Sequence, residues 1–390
     1  MDEEHTLTLC VKCAHDQRLR DFIQKYGTAT TACSLCGEKY SQAARVGKDA
    51  GLADIIKALV RFHYSEFDYN RHWGGNELYE ILAQDNPILH FSGPTATDAF
   101  AWFIEKLTEP AYPPANEGVS LYYGRDGTGR GAFGIPLSRQ KSRELEETRH
   151  ALRKQNHFEL EDPWLDRLGN LRQRLTQTVK NGSHYFRARI GVASLKLKTT
   201  DLFEEAKLIA SPYSGDQIGS PPPHIVASGG RLNRPSVSFL YLTDTAETAL
   251  AELRPHSGHY VSIGCFVANS DLEVANLARV DFGEFMATDQ TLDQYVLLQN
   301  LNRAFSKPVV PDADGGYLLT QFIAGILRKL GFSGVVFSSS LGAGLNLAVF
   351  QPSLFSYVPR SGTVRQVTAV SYTTEDFPFE HEEEKDAHYF

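Results

Sequence analysis

Two Cys-x-x-Cys pairs near the N-terminus, Cys10/Cys13 and Cys33/Cys36, restrict what this chain can fold into more than any other feature. A gap of two residues lets two thiolates reach one ion from a tight turn, and two such knuckles complete a tetrahedron. The nineteen residues between the pairs fit a structural zinc ribbon, and Gly37 suits the turn that follows the second knuckle. Four sulfurs leave no coordination position open, so zinc bound here is structural and not catalytic. A redox-active pair is the competing reading. Lys12, Arg18, Arg20, Lys25 and Lys39 are offset by Asp16, Asp21 and Glu38, which favours protein contact or a structural role over nucleic acid. The fifth cysteine, Cys265, sits in the apolar segment SIGCFVA and reads as a small core residue.

With 390 residues the chain has room for two or three domains, and 42% apolar with 22% charged residues is an ordinary globular composition. A net charge of −8 argues against broad binding to nucleic acid or anionic membrane. No apolar run has the ~20 residues needed to span a bilayer. The acidic start MDEEHTLTLC lacks a signal-peptide core, which predicts a cytoplasmic protein.

The apolar spacing predicts an α+β protein in parts: a ribbon over 1–46, a mainly helical region over 47–181, an α+β domain over 182–356 and a C-terminal strand with an acidic tail over 357–390. Helices are expected over 49–63, 77–83, 97–107, 138–155 and 164–179, with breaker-rich loops at 109–118 and 122–134. Beyond 182 the segments HYFRARIG, SVSFLYLT, HYVSIGCFVA, GVVFSS and NLAVF read as strands, and 245–253 and 319–330 as helices. The long Pro- and Gly-rich loop 211–230 reads as functional. The apolar faces of the middle helices would support a homo-oligomer.

Several residues of the C-terminal region are candidates for an anion-binding or catalytic site. Arg187 and Arg189 alternate along a strand and share a face, either toward solvent or as a guanidinium fork for a pyrophosphate. Arg231 follows Gly229-Gly230, where backbone can approach a ligand closely. Tyr241 ends an apolar strand, and Glu252 borders the apolar side of its helix, where a carboxylate needs a partner or a purpose. Ser338, Ser339 and Ser340 lead into the turn LGAG.

Taken in order, Tyr-Phe-Arg, Pro-Pro-Pro, Gly-Arg-x-Asn, Leu-Tyr-Leu, Ala-x-x-Glu-x-Arg-Pro and Gly-Phe-x-Gly-Val-Val-Phe-x-Ser resemble the RES family over about 184–352. The matching positions are Arg187, Arg231, Tyr241, Glu252 and Ser339. The turn departs from the family pattern, with Arg234-Pro235-Ser236 where Pro then Gly is usual. The resemblance implies a fold similar to ADP-ribosyltransferase toxins and an enzyme that splits the nicotinamide bond of NAD, with water or phosphate as acceptor. It implies catalysis by Glu252 with Arg187 and Ser339, and NAD binding by Arg187, Arg231, Tyr241, Glu252 and Ser339. It also implies a toxin or defence effector, held silent by an antitoxin or immunity protein or by its own N-terminal region. That region looks like the HEPN-type extension of longer family members, although the spacing of Arg143 and His150 is too weak to imply a ribonuclease. The alternatives are a protein ADP-ribosyltransferase, and a zinc-ribbon nucleic-acid module with an inactive C-terminal domain.

Overall fold

The computed structural model describes residues 7–28, 32–39, 42–46, 51–68, 82–83, 86–90, 101–104, 120–123, 136–198, 206–227, 229–307, 316–371 and 373–374. Of the expected elements, the loop 109–118, the loop 122–134 beyond 123, the acidic tail from 375 and most of the helices 77–83 and 97–107 lie outside these residues; 82–83 and 101–104 are helical.

At the N-terminus, strands β1 (Leu7–Cys10) and β2 (Ala43–Val46) pair antiparallel beside the helix Gln17–Tyr26. Asp16 caps that helix by accepting the Arg18 amide at 2.7 Å. The helix Leu52–His63 buries Leu52, Ile55, Ile56, Leu59, Val60 and Phe62, the face that its spacing predicts. β3 (Ser65–Asp68) and β4 (Ser120–Tyr123) form a short antiparallel ribbon in the region read as mainly helical. Two further helices, Arg143–Ala151 and Glu161–Asn170, follow.

The expected helix 164–179 ends early. After one further turn, Arg172–Leu175, the alternating β-branched run TQTV becomes β5 (Thr176–Val179), where Thr176 Oγ1 donates to the Arg172 carbonyl at 2.7 Å. β5 opens a nine-stranded sheet with β6 (His184–Ile190), β9 (Leu240–Thr243), β10 (Tyr260–Ala268), β11 (Leu272–Asn276), β12 (Gly334–Ser338), β13 (Leu345–Val349), β14 (Phe355–Tyr357) and β15 (Thr363–Gln366). The order is β14-β10-β6-β9-β13-β12-β11-β5, with β15 also on β10. β7 (Ser194–Lys198) and β8 (Lys207–Ser211) make a separate hairpin. The helices Ala246–Glu252, Asp289–Ser306 and Leu318–Lys329 complete the α+β arrangement.

The sheet is covered on both faces. Val335, Phe337 and Ala348 join one apolar cluster, while Val336, Leu347 and Val349, one residue out of phase, join another. The first cluster runs without a break from Cys10, Cys13 and Cys33 through Phe62 and Tyr295 to the sheet. The N-terminal unit and the sheet therefore share a core.

Candidate active site

The sheet has a weak seam between β6 and β9. β6 pairs with β10 from Val261↔Ile190 to Val267↔His184, but it meets β9 at the single rung Phe186↔Thr243. Where the backbone ladder stops, a side chain continues it: Arg187 Nη1 donates to the Tyr241 carbonyl at 2.9 Å and Nε to the Ile218 carbonyl at 2.8 Å. Arg187 makes no ion pair with a described residue. Withdrawal from solvent pulls its guanidinium down to about 10, against the pull of Tyr241. A cation held this way, with Nη2 bonded to no described residue, gains from an anionic ligand. Arg189 shares the Arg187 side of the strand, as alternation requires, and lies 4.6 Å over the Tyr213 ring. Opposite them, Phe186 and Ala188 pack on Ala249, Leu250 and Leu253.

Tyr241 sits beside this seam. Its hydroxyl donates to Asn233 Oδ1 at 2.6 Å and accepts the Leu232 amide at 3.1 Å. Burial pushes it up to about 12, against the nearby Leu232 amide and the Arg231 and Arg187 charges. Gly230 is required here, because a Cβ would meet Asn233 Oδ1 at 2.5 Å and the Tyr241 hydroxyl at 3.3 Å. Arg231 Nη1 donates to the carbonyls of Phe305 and Ser306, at 2.8 and 3.2 Å, and so closes the end of the helix Asp289–Ser306. That structural task was not legible in the sequence. Ser236, in the turn that departs from the family pattern, holds φ 63°, a conformation that favours glycine.

Glu252 and Ser339 are brought together. Ser339 Oγ donates to Glu252 Oε1 at 2.7 Å and itself accepts the amides of Leu341 (3.1 Å) and Gly342 (3.0 Å). With both amides donating to Oγ, its one proton is directed to the carboxylate. Asn346 Nδ2 donates to the same Oε1 at 2.7 Å, whereas Oε2 receives no hydrogen bond from a described residue. Ser338 turns away, donating its amide to Asn302 Oδ1 (3.0 Å) and accepting Asn302 Nδ2 on Oγ (3.1 Å). Ser340 Oγ donates to the Ser306 carbonyl at 2.8 Å. Of the three serines, then, Ser339 is the one on Glu252.

Glu252 is the last residue of its helix, the end where peptide dipoles disfavour an anion by about 0.3–1 kcal/mol. Two hydrogen bonds to a charged acceptor contribute about 1.5–3 kcal/mol each, enough to offset it. Asn346 was missed, yet it carried a signal: a lone amide on a buried strand position, LNLAV, needs a polar partner. Asn346 pairs with Thr243 and Ala348 with Tyr241, which places Tyr241 and Asn346 on one face, two rungs or about 7 Å apart. The carboxylate couple and Tyr241 thus share one face of β9 and β13, which the Phe186–Thr243 rung extends to Phe186, while Arg187 leaves β6 on the other side and reaches Tyr241 through its backbone carbonyl at the seam. Among the described residues, no hydrogen bond or ion pair joins Glu252 to Arg187 directly.

The four cysteine sulfurs Cys10, Cys13, Cys33 and Cys36 lie within 4.8 Å of one another. Cys10–Cys36 and Cys13–Cys33 are 3.9 and 3.8 Å apart, close to the edge of about 3.8 Å that a tetrahedron with Zn–S near 2.3 Å requires. The hydrogen bond between the Cys13 and Cys33 thiols pulls Cys33 down and pushes Cys13 up, as when two neighbouring sulfurs share one proton. This donor set suits a closed, structural ion. Cys265 stands apart, half-buried on β10 with its thiol pushed up by burial.

Residues 202–373 match the family model of the RES domain. Arg231, Tyr241, Glu252 and Ser339 fall inside that match, while Arg187 and β6 precede it although the sheet includes them. No curated protein matches the chain. A chain of the M. tuberculosis MbcT–MbcA toxin–antitoxin complex is similar at 15% identity, over 53% of this chain and 94% of that chain, with a TM-score of 0.29. That likeness is too loose to bear on fold or function.

Proposed function

We propose that this protein is a toxin-like enzyme that cleaves the bond between nicotinamide and ribose in NAD. The observation that carries the reading is the Glu252 carboxylate, anchored through Oε1 by Ser339 and Asn346, with Oε2 bonded to no described residue, inside a matched RES domain. As the C–N bond breaks, its electron pair leaves with nicotinamide and positive charge develops on the ribose. Glu252 faces that charge and accepts a ribose hydroxyl, and its fixed orientation supplies stabilisation without reorganisation. Arg187, with Arg231 through its uncommitted donors, holds the pyrophosphate, and Tyr241 packs on the nicotinamide ribose. Water or phosphate then attacks the anomeric carbon. The four cysteines hold zinc and give the N-terminal unit its shape, and an antitoxin or that unit itself restrains the activity.

The test is to incubate the purified chain with NAD and follow nicotinamide, ADP-ribose and ADP-ribose 1-phosphate. Release of nicotinamide with either free product is expected, and the product identifies the acceptor. ADP-ribose attached to protein would replace this reading with a transferase, and an unchanged NAD pool would overturn it.

A further inference from the structure

The helix Asp289–Ser306 touches the candidate site at one end and the N-terminal unit further back. Near its C-terminus, Asn302 holds Ser338 through both amide atoms, and the Ser306 carbonyl accepts Ser340 and Arg231. Ser339 lies between the two serines this helix holds, so its backbone position follows from theirs. Seven residues earlier, two turns back on the same face and about 10 Å along the axis, is Tyr295.

Tyr295 is buried at 2% exposure, and its hydroxyl accepts Arg18 Nε at 2.7 Å. Arg18 also reaches Asp16 at 3.2 Å and lies 4.5 Å over the Phe62 ring. His63 Nε2 is 2.7 Å from Asp16 Oδ2. Phe62, Phe282 and Phe285 surround the Tyr295 ring at 4.8 to 5.8 Å. The helices Gln17–Tyr26 and Leu52–His63 therefore grip this helix through one buried cluster. Lys25–Asp281, 2.5 Å apart, adds a second tie just before it.

We propose that Asn302 is a positioning residue for the Glu252–Ser339 couple, and that Tyr295 passes the hold of the N-terminal unit to it along the helix. A packed helix transmits such a hold because its ends cannot shift independently. Asn302 touches neither substrate nor carboxylate and acts through Ser338. The inference rests on the proposed NAD cleavage only for its effect on rate.

The experiment compares the full-length wild type with Asn302→Ala, Asn302→Asp and Tyr295→Phe. Amide exchange over 338–342 is read by mass spectrometry against the β10 amides of the same sample, alongside kcat and KM for NAD. In Asn302→Ala, exchange at 338–342 should rise while β10 stays protected, and kcat should fall about tenfold to a hundredfold with KM within about twofold. Asn302→Asp keeps the acceptor for the Ser338 amide and should recover most of both. Tyr295→Phe, which loses one hydroxyl distant from the site, should show the same pattern in weaker form. Wild-type exchange at 338–342 in Asn302→Ala would overturn the positioning role, and in Tyr295→Phe it would overturn the link to the N-terminal unit. If Asn302→Ala does not fold, Tyr295→Phe decides the question. A wild type that releases no nicotinamide sinks the proposed function, and the exchange data still decide this inference.

Discussion

Glu252 and Arg187 are both charges placed where a purely structural residue would be costly. One is an anion at the anionic end of a helix, and the other a largely desolvated cation whose partners are backbone carbonyls. The Arg187 fork is predicted to matter for ligand binding, so Arg187→Lys, which keeps the charge but loses the Nε donor to Ile218, should raise KM for NAD about tenfold. Steady-state kinetics checks this, and an unchanged KM would remove Arg187 from the phosphate site. Arg187, Arg231, Tyr241, Glu252 and Ser339 were all visible as motif residues, because each belongs to a short recurring string. Of their partners, Asn233 lay in the Gly-Arg-x-Asn string, but its bond to Tyr241 did not. Asn346 and Asn302 act through contacts 94 and 36 residues away in sequence, and spacing does not encode such pairings.

Among the elements, strands rich in β-branched or aromatic residues, such as β10 and β12, were legible because both of their faces are largely buried. The helix Asp289–Ser306 was not. Its buried residues, Leu292, Tyr295, Val296, Leu297, Leu298, Leu301 and Phe305, lie on several sides, so no single stripe marks it. The capping box at Thr288 and Thr291 was the available signal. The grip on this helix by Asp16 and Arg18 predicts a pH dependence. Burial alone would raise Asp16, but the His63 ring and the Arg18 charge outweigh it and hold the carboxyl below its usual range. A depressed folded pKa contributes stability that is present above the unfolded value, about pH 4, and is lost as pH falls through the folded one. Asp16→Asn should therefore lower the urea midpoint at neutral pH, and its gap to wild type should shrink as the pH drops below about 4. A gap that is constant with pH would contradict the ion-pair account.

For the whole molecule, the cysteine cluster belongs to the same apolar core as Tyr295, Phe337 and Ala348, although the sequence reads as separate parts. Zinc in that cluster should thus stabilise the entire chain. A strong chelator, or Cys13→Ser, is predicted to lower the melting temperature in a single transition, with about one zinc lost per chain by elemental analysis. Two transitions with the later one unmoved would show that the sheet folds apart from the ribbon. The arrangement of strands around the β6–β9 seam was beyond sequence reasoning, since it depends on where pairing stops. In the proposed function, chemistry occurs at the Glu252 couple. The most direct measurement is nicotinamide release from NAD by wild type and Glu252→Gln, with circular dichroism of both. Release by the wild type is expected, with at least a hundredfold less by a folded Glu252→Gln; equal release by the two would remove Glu252 from the chemistry.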